Sequence, residues 1–490
     1  MKRFIFIILI LLLINSIIVA GEKRKVSYSL SAYLNETLKK SIEYQTYKKE
    51  LESYRALKSY YKDYYIPYFK TTPYFSYDLS PSSRTYEVVD ELEDTVYNYD
   101  FTLSQNTPLG SSISFDFDNS YTTTNNASAT WNPMHNNSIS LTLSQPLLKG
   151  FANNYSIKNI KDSEVDYYIS QKNYEKNLVN LYISLINAYW DFYVASEELL
   201  IKEASYKRAL DQFEFTKINI EKGLLPANDI YVVEESLISF QNNLEIAKND
   251  FENKKYNFSK FLELRIEDNE SIEIIGLEKP SDKIILSQSY SLLKEKLYEN
   301  HYDYIIQELN VRKAEITYKY NKNQVFPQLD LSLSLALSGI SDTFEESMNQ
   351  VMGANSYYGL VGLTFRLPFY YGFLKSNIIY ARSALEQEKF ELKKIERDML
   401  VDLSKAYNQV VLSQKQYKLK IRIATLAKLK LQAEEEKYRE GISTLNDLVI
   451  FQRELDEAQN SLISALVYWN KYYNNLLYMV GGIKDLYEIE

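Results

Sequence analysis

The stretch that decides the fold is residues 374–440, LKSNIIYARSALEQEKFELKKIERDMLVDLSKAYNQVVLSQKQYKLKIRIATLAKLKLQAEEEKYRE, which contains neither proline nor glycine. A second stretch, residues 155–222, shares this property. At about 1.5 Å per residue, each predicts a helix roughly 100 Å long, whereas the average helix has about 11 residues. Helices of this length are typical of a duct or a strut and not of a compact enzyme.

Apolar or small residues recur along the helix predicted at 374–440 in steps of three, four and seven, the spacing of a coiled-coil seam. They are Ile378, Ala381, Leu385, Leu392, Ile395, Met399, Leu403, Ala406, Val410, Tyr417, Ile421 and Ala424. A thin helical hairpin buries little apolar surface by itself, so we expect lateral association with further copies of the chain.

Composition supports a mainly helical protein, because 490 residues include only 13 Gly and 10 Pro. The net charge of −9 is spread over interspersed acids and bases. No basic stripe is present, which argues against nucleic acid as a partner. The absence of cysteine excludes disulfides, thiol chemistry and a lipidated N-terminal cysteine.

The N-terminus predicts secretion. Lys2 and Arg3 precede an apolar run, and small Ala20 and Gly21 then meet charged residues, as in a signal peptide covering residues 1–20. A retained membrane anchor is the alternative, since about 20 residues suffice to span a bilayer. No comparable apolar run follows, so a mature chain that crosses a membrane is expected to do so as strands.

Strand candidates alternate between apolar and small or polar residues. The runs are Phe75–Leu79, Tyr97–Leu103, Ile113–Phe117, Ile139–Leu143, Leu329–Leu337 and Val361–Leu367. This alternation fits a membrane barrel with lipid outside and water inside. It equally fits a soluble sheet with one wet face, so the strands alone leave both interpretations open.

The order of elements indicates an internal duplication. Repeat 1 (21–282) is predicted to contain a helix ending near Pro67, strands at about 71–146, a long helix at 155–222 and a return helix at 228–264. Repeat 2 (283–490) is predicted to contain a helix at 288–326, strands at about 328–367, a long helix at 374–440 and a return helix at 444–479. Breakers match between the repeats: Pro67 with Pro327, Pro146 and Gly150 with Pro368 and Gly372, and residues 223–229 with 441–447.

Two strand-to-helix junctions, LSQPLLKGF (143–151) and LPFYYGF (367–373), and the doubled pattern Gly-x5-Asp at Gly223 and Gly441 resemble the TolC-like outer membrane efflux proteins. The resemblance covers essentially the whole mature chain. It implies an α+β membrane protein: a homotrimer in which each subunit adds four strands to a shared 12-stranded barrel, continued by a coiled-coil periplasmic tunnel. The chain would lie in the outer membrane of a diderm bacterium.

The same resemblance implies a passive exit duct for small molecules or for type I protein secretion. Its partners would be outer-membrane lipid, a periplasmic adaptor (membrane fusion) protein and an inner-membrane transporter of RND, ABC or MFS type. Two other classes stay open: a structural periplasmic coiled-coil protein with a soluble β cap, and an uncoupled porin. Neither His135 nor His301 has a second ligand at metal spacing, so no catalytic residue, metal or cofactor is expected.

The breakers have physical roles. Pro146 and Pro368 are expected where strand pairing ends, with Gly150 and Gly372 permitting the turn into the helix, while Pro67 and Pro327 end the incoming helices. Gly223 and Gly441 fit left-handed helix C-caps. Asn228 or Asp229, and Asn446 or Asp447, could cap the returning helices.

In the resembled family the tip of the hairpin faces the adaptor. The predicted contact residues are Gly223, Leu224, Leu225, Gly441, Ile442 and Ser443. Asp229 and Asp447 are either gate acids, forming a ring in a trimer, or helix caps. The family has a second acid one turn later, where this chain has Val232 and Ile450, and this departure weakens the gate interpretation.

Repeat 1 departs from the family in a second way, because residues 84–131 insert an extra pair of strand-like runs around the turn at 106–110. Either the extra hairpin projects beyond the membrane, or it joins the wall and raises the trimer to 18 strands. The expectation is projection, with four strands per subunit.

Overall fold

A computed structural model describes residues 24–81, 89–262, 272–277, 280–281, 289–367, 369 and 372–483. The predicted signal peptide and Pro368 lie outside these residues. Within the described part of the chain, every helix is too short or too polar to cross a membrane.

The described elements follow one another in the order helix, sheet, long helix and return helix, twice. The helices are α1 (Leu30–Lys40), α2 (Ile42–Lys62), α3 (Tyr155–Glu221), α4 (Asp229–Lys260), α5 (Tyr290–Asn300), α6 (Tyr302–Asn323), α7 (Phe344–Met352), α8 (Gly372–Arg439) and α9 (Leu445–Met479). The strands are β1 (Arg24–Tyr28), β2 (Tyr68–Thr71), β3 (Tyr74–Pro81), β4 (Glu91–Asn106), β5 (Ser112–Thr124), β6 (Met134–Pro146), β7 (Ile272–Leu277), β8 (Gln328–Ser341) and β9 (Tyr357–Arg366).

The chain divides into two compact units that do not coincide with the repeats. One unit comprises residues 1–49, 173–305 and 395–490, and the other comprises residues 50–172 and 306–394. Each unit therefore contains matching parts of both repeats.

The first unit is mainly helical and holds two related apolar cores. One core joins α1, α3 and α4, with Tyr33 stacked on Phe258 at 4.2 Å between ring centroids. Its counterpart joins α5, α8 and α9 around Leu297, Leu403 and Leu476. A short parallel pair, β1 with β7, belongs to the same unit.

The first helix of each repeat is interrupted at one residue, so the single helix predicted at 288–326 is in fact α5 and α6. His301 donates its backbone N–H to Leu297 O (2.9 Å), and its Nδ1 accepts from the N–H of Tyr304 (3.4 Å). Ser41 does the same between α1 and α2, with Thr37 O and the N–H of Tyr44. Each residue thus ends one helix and caps the next.

Burial lowers the pKa of the His301 imidazole below its usual range. As the pH falls, the His301 imidazole of the unfolded chain is protonated before that of the folded chain, at a pKa of about 6.5. The folded protein therefore keeps its full stability with respect to His301 above about pH 6.5 and loses stability as the pH drops toward the folded pKa.

We expect His301→Ala to lower the free energy of unfolding by about 1 kcal/mol, because the cap of α6 is lost. His301→Ser, which copies Ser41, should keep the cap and remove the His301 share of the acid-dependent loss. Thermal unfolding followed by circular dichroism at pH 7.5 and 5.5 measures both effects. A serine variant with the same acid sensitivity as the unmodified protein would contradict the assignment.

The second unit contains an antiparallel sheet in the order β2-β4-β5-β6-β8-β9, with β3 also paired to β4. Because β2 and β3 lie end to end along β4, the sheet has six strand positions. The expectation that the extra hairpin projects is wrong: β4 pairs with β5 over Asp94–Asn106, and β5 pairs with β6 over Ser112–Thr122. Four strands per subunit must be corrected to six positions.

The sheet has one apolar and one polar face, because successive side chains point in opposite directions. Odd-numbered residues such as Phe115, Leu141 and Leu335 are large, apolar and exposed. Even-numbered residues on the other face include Asp100, Asp118 and the serines of β6. The connection between β8 and β9 contains α7, which was not predicted from the sequence. This helix packs so closely against β8 that a Cβ on Gly339 would lie 2.1 Å from Ser347 O.

Candidate functional site

The predicted tips are two copies of one helix-ending turn. Gly223 has φ +69° and Gly441 has φ +74°. The next residues close the turn, since the N–H of Leu224 donates to Asn219 O (2.8 Å) and that of Ile442 to Lys437 O (2.9 Å). This is the Schellman arrangement, in which a left-handed residue satisfies the last carbonyls of a helix.

The two return helices begin differently, and the predicted caps need correction. In repeat 2 the cap is Thr444: its Oγ1 accepts from the N–H of Asp447 (3.2 Å) and donates to Asp447 Oδ2 (2.6 Å). In repeat 1 Asn228 occupies the cap position without a side-chain cap hydrogen bond. The N–H of Asp229 instead donates to Pro226 O (3.1 Å).

Both tips line one cavity of about 560 Å³. Of the predicted residues, the cavity wall includes Leu224, Leu225, Asp229, Gly441 and Ser443. Phe215, Tyr438, Arg439 and Thr444 complete much of the wall and were not predicted.

Leu224 and Ile442 are the most exposed apolar side chains of the tips, at 70% and 72%. They occupy equivalent positions, each directly after the left-handed glycine. Asp229 and Asp447 are half-buried.

Hydrogen bonding fixes the second tip. The Ser443 hydroxyl donates to Glu434 Oε1, and Lys437 Nζ lies 3.2 Å from Glu434 Oε2. The Ser443 hydrogen bond, with the Lys437 charge, lowers the pKa of Glu434. Burial raises the pKa of Tyr438, and the negative charge of Asp229 raises it further.

A buried ionic cluster links α3 to α9. Asp456 is 2% exposed and accepts from the Ser205 hydroxyl, while Arg208 Nη2 and Lys202 Nζ lie 3.2 and 3.6 Å from its carboxylate oxygens. Burial nevertheless raises the pKa of Asp456. The cluster joins a helix of repeat 1 to a helix of repeat 2, and its members are too far apart in sequence to be paired by a local pattern.

The junctions of the two repeats meet beneath the sheet. Pro146 is the last residue of β6, and the N–H of Lys149 donates to Pro327 O (3.3 Å). Gly150 has φ +88° and donates its N–H to Asn323 Oδ1 (2.8 Å). Asn323, the last residue of α6, also donates from Nδ2 to Leu148 O (3.3 Å), so repeat 2 holds the exit loop of repeat 1.

The other junction residues take simpler positions. Pro67 directly precedes β2, as Pro327 precedes β8, and Gly372 is the first residue of α8. Across the residues that the structure describes, no group of three or more His, Cys, Asp and Glu side chains could hold a metal ion.

Comparison with known proteins agrees with this architecture. Residues 295–482 match the family described as outer membrane efflux protein. No curated protein matches the sequence significantly. The structure is similar to those of VceC from Vibrio cholerae (12% identity, 92% of this chain, 96% of that chain, TM-score 0.62), the CmeC channel of Campylobacter jejuni (14%, 92%, 85%, 0.62) and the MtrE channel of Neisseria gonorrhoeae (14%, 92%, 89%, 0.61).

A sheet with an exposed apolar face that continues into long helices is the architecture of outer membrane channels with a periplasmic helical part. The match of residues 295–482 to the outer membrane efflux protein family agrees with the TolC-like resemblance that the junction motifs indicated. The family consists of channels and not of enzymes. The sequence match lies in repeat 2, and the similarity of fold covers 92% of the chain.

The cap at Thr444 can be tested against its unmatched counterpart. We expect Thr444→Ala and Asp447→Ala each to lower the free energy of unfolding by about 1 kcal/mol. The double variant should lose less than the sum, because the two side chains share their hydrogen bonds. Asn228→Ala should change stability by less than about 0.5 kcal/mol. Thermal denaturation measures the series, and strict additivity would contradict the reciprocal cap.

Proposed function

We propose that three copies of this chain form a passive export duct whose helical tips dock a periplasmic adaptor, which connects the duct to an inner-membrane transporter. The observation that carries the proposal is the pair of equivalent tips, each presenting one highly exposed apolar side chain, Leu224 or Ile442. Large exposed apolar residues beside a cavity are typical of a protein contact surface.

The duplication gives the proposed docking surface its form. Both tips end in the same turn, so an adaptor built from similar hairpins would meet two equivalent apolar contacts per subunit. The cavity of about 560 Å³ between Leu225, Asp229 and Ser443 offers a recess for an inserted side chain. Gly223 and Gly441 would contribute by holding the turns, since a side chain at positive φ is strained.

The tip proposal predicts that Leu224→Ser with Ile442→Ser weakens adaptor binding by roughly 10- to 100-fold, the loss of one or two interface anchors. Export should fail in a strain that carries only this variant, and sensitivity to dyes and detergents should return to that of the deletion strain. Cross-linking to the adaptor in cells measures the contact directly.

Leu224→Met with Ile442→Val is the matched control, because it keeps an apolar side chain at each tip. It should retain export and cross-linking. If the serine variant reached the outer membrane and still exported normally, the tips would not be the adaptor contact.

We further propose that Asp229 and Asp447 form acidic rings around the threefold axis and influence cation passage. Because Asp447 also belongs to the Thr444 cap, its two roles have to be separated. Asp447→Asn should reduce divalent-cation block of single-channel conductance, whereas Thr444→Ala, which disturbs the cap but keeps the charge, should leave the block intact. Unchanged block in Asp447→Asn would leave the capping role alone.

A further inference from the structure

The edges of the sheet define an interaction surface for another copy of the same chain. Among the described residues, β9 pairs only with β8, and β2 and β3 pair only with β4. Each edge therefore carries a row of backbone N–H and C=O groups without strand partners. Such groups cannot stay unpaired in lipid, where a spanning sheet has to close on itself.

We propose that β9 of one subunit pairs with β2 and β3 of the next, so that three six-position sheets close an 18-stranded barrel whose wall includes the β4–β5 hairpin. This proposal rests on the trimer proposed above. It differs from the 12-stranded barrel that the family resemblance implies, because the hairpin is part of the wall and adds two strand positions to each subunit.

The polarity of the strands permits this closure. The first strand position, β2 with β3, and the last, β9, run in opposite directions, because the six positions are antiparallel throughout. A head-to-tail arrangement therefore continues the antiparallel order at each seam. Three copies related by threefold symmetry leave no edge unpaired.

The β4–β5 hairpin has the side-chain pattern of the wall. Phe101 stacks on Phe69 of β2 at 5.9 Å and on Phe117 of β5 at 6.0 Å between ring centroids. This aromatic row lies on the same face as Leu141 and Leu335, which are 52% and 54% exposed. A hairpin that projected into water would have no use for an apolar face continuous with that of β6 and β8.

The turn at the end of the hairpin is fixed to the junction. Gly110 has φ +86°, and a Cβ there would lie 2.8 Å from the carbonyl oxygen of Gly150. Leu109 O accepts from the N–H of Ala152 (2.9 Å). The turn is thus held at the level where β6 enters α3, as the lower edge of the wall requires.

Barrel geometry also predicts which residues meet at the seam. The row perpendicular to the strands that starts at Tyr68 passes through Ser104, Ser114, Thr142 and Ser334 to Leu360. In a barrel whose strands are tilted by about 40°, a row that crosses six strands spaced by about 4.7 Å returns displaced along the strand direction by ~24 Å, or about seven residues. The next subunit is therefore shifted by this amount relative to the row. Leu360 should therefore meet Tyr74 or Ser76.

Displacement in the other direction would place Leu360 opposite α2, which offers no strand edge. With the chosen direction, the ten residues of β9 face the combined length of β2 and β3. Because barrel diameter grows roughly in proportion to strand number, the lumen would be about 1.5 times as wide as that of a 12-stranded barrel.

Disulfide trapping tests the proposal, and the cysteine-free chain supplies a clean background. The seam variant combines Leu360→Cys with Ser76→Cys, and a second variant replaces Ser76→Cys by Tyr74→Cys. Oxidation in membranes should shift one of the two to three times the chain mass on a denaturing gel. Leu360→Cys with Ser114→Cys on the internal strand β5 should remain at the mass of one chain.

Two pairs within one chain test the hairpin. Asp78→Cys with Asp94→Cys bridges β3 and β4, and Ser114→Cys with Thr142→Cys bridges β5 and β6, at positions that are directly opposite. Both should lose their free thiols on oxidation. If either of these thiol pairs persisted, the 18-stranded wall would be overturned. The same would follow if both seam variants failed to cross-link in a protein whose native mass is three chains, while the trimer itself would stand. A native mass other than three chains would overturn the trimer as well.

Discussion

The unpaired edges of the sheet are the constraint on which the rest of this molecule depends. A sheet with a lipid-facing apolar surface has to satisfy every backbone N–H and C=O group without help from water. Among the described residues, the six strand positions leave two edges open, so the pairing of these edges is not completed there. Each further copy that closes the sheet also adds its own long helices below it.

The duplication extends this requirement to the helical part. Matching cores around Tyr33 and Leu297, matching helix interruptions at Ser41 and His301, and matching turns at Gly223 and Gly441 show two halves built to one plan. The two halves differ at the caps of their return helices and in the extra hairpin. Thr444 caps one return helix, while Asn228 leaves the other without a side-chain cap. Within the described part of the chain, the extra hairpin belongs to repeat 1.

Sequence patterns predicted features that depend on neighbours along the chain. The lack of proline and glycine predicted α3 and α8, and alternation predicted the two faces of the sheet. The interruption at His301 was missed because a single capping residue leaves the hydrophobic period on both sides unchanged. Thr444-x-x-Asp447 is a readable capping signature, but the prediction assigned the cap to Asn446 or Asp447 and not to Thr444. The alternating pattern identified the strands of the extra hairpin but could not place them, because the same pattern fits a projecting hairpin and a hairpin in the wall. The Asp456 cluster joins helices that are distant in sequence, so no local pattern could assign it.

The most direct measurement is electron cryomicroscopy of the full-length protein in lipid nanodiscs, with the strands counted in the membrane section. The account predicts a threefold-symmetric particle with 18 strands, in which β9 of each subunit adjoins β2 and β3 of the next. A closed wall of 12 strands with β4 and β5 outside it, or a particle without threefold symmetry, would contradict the account.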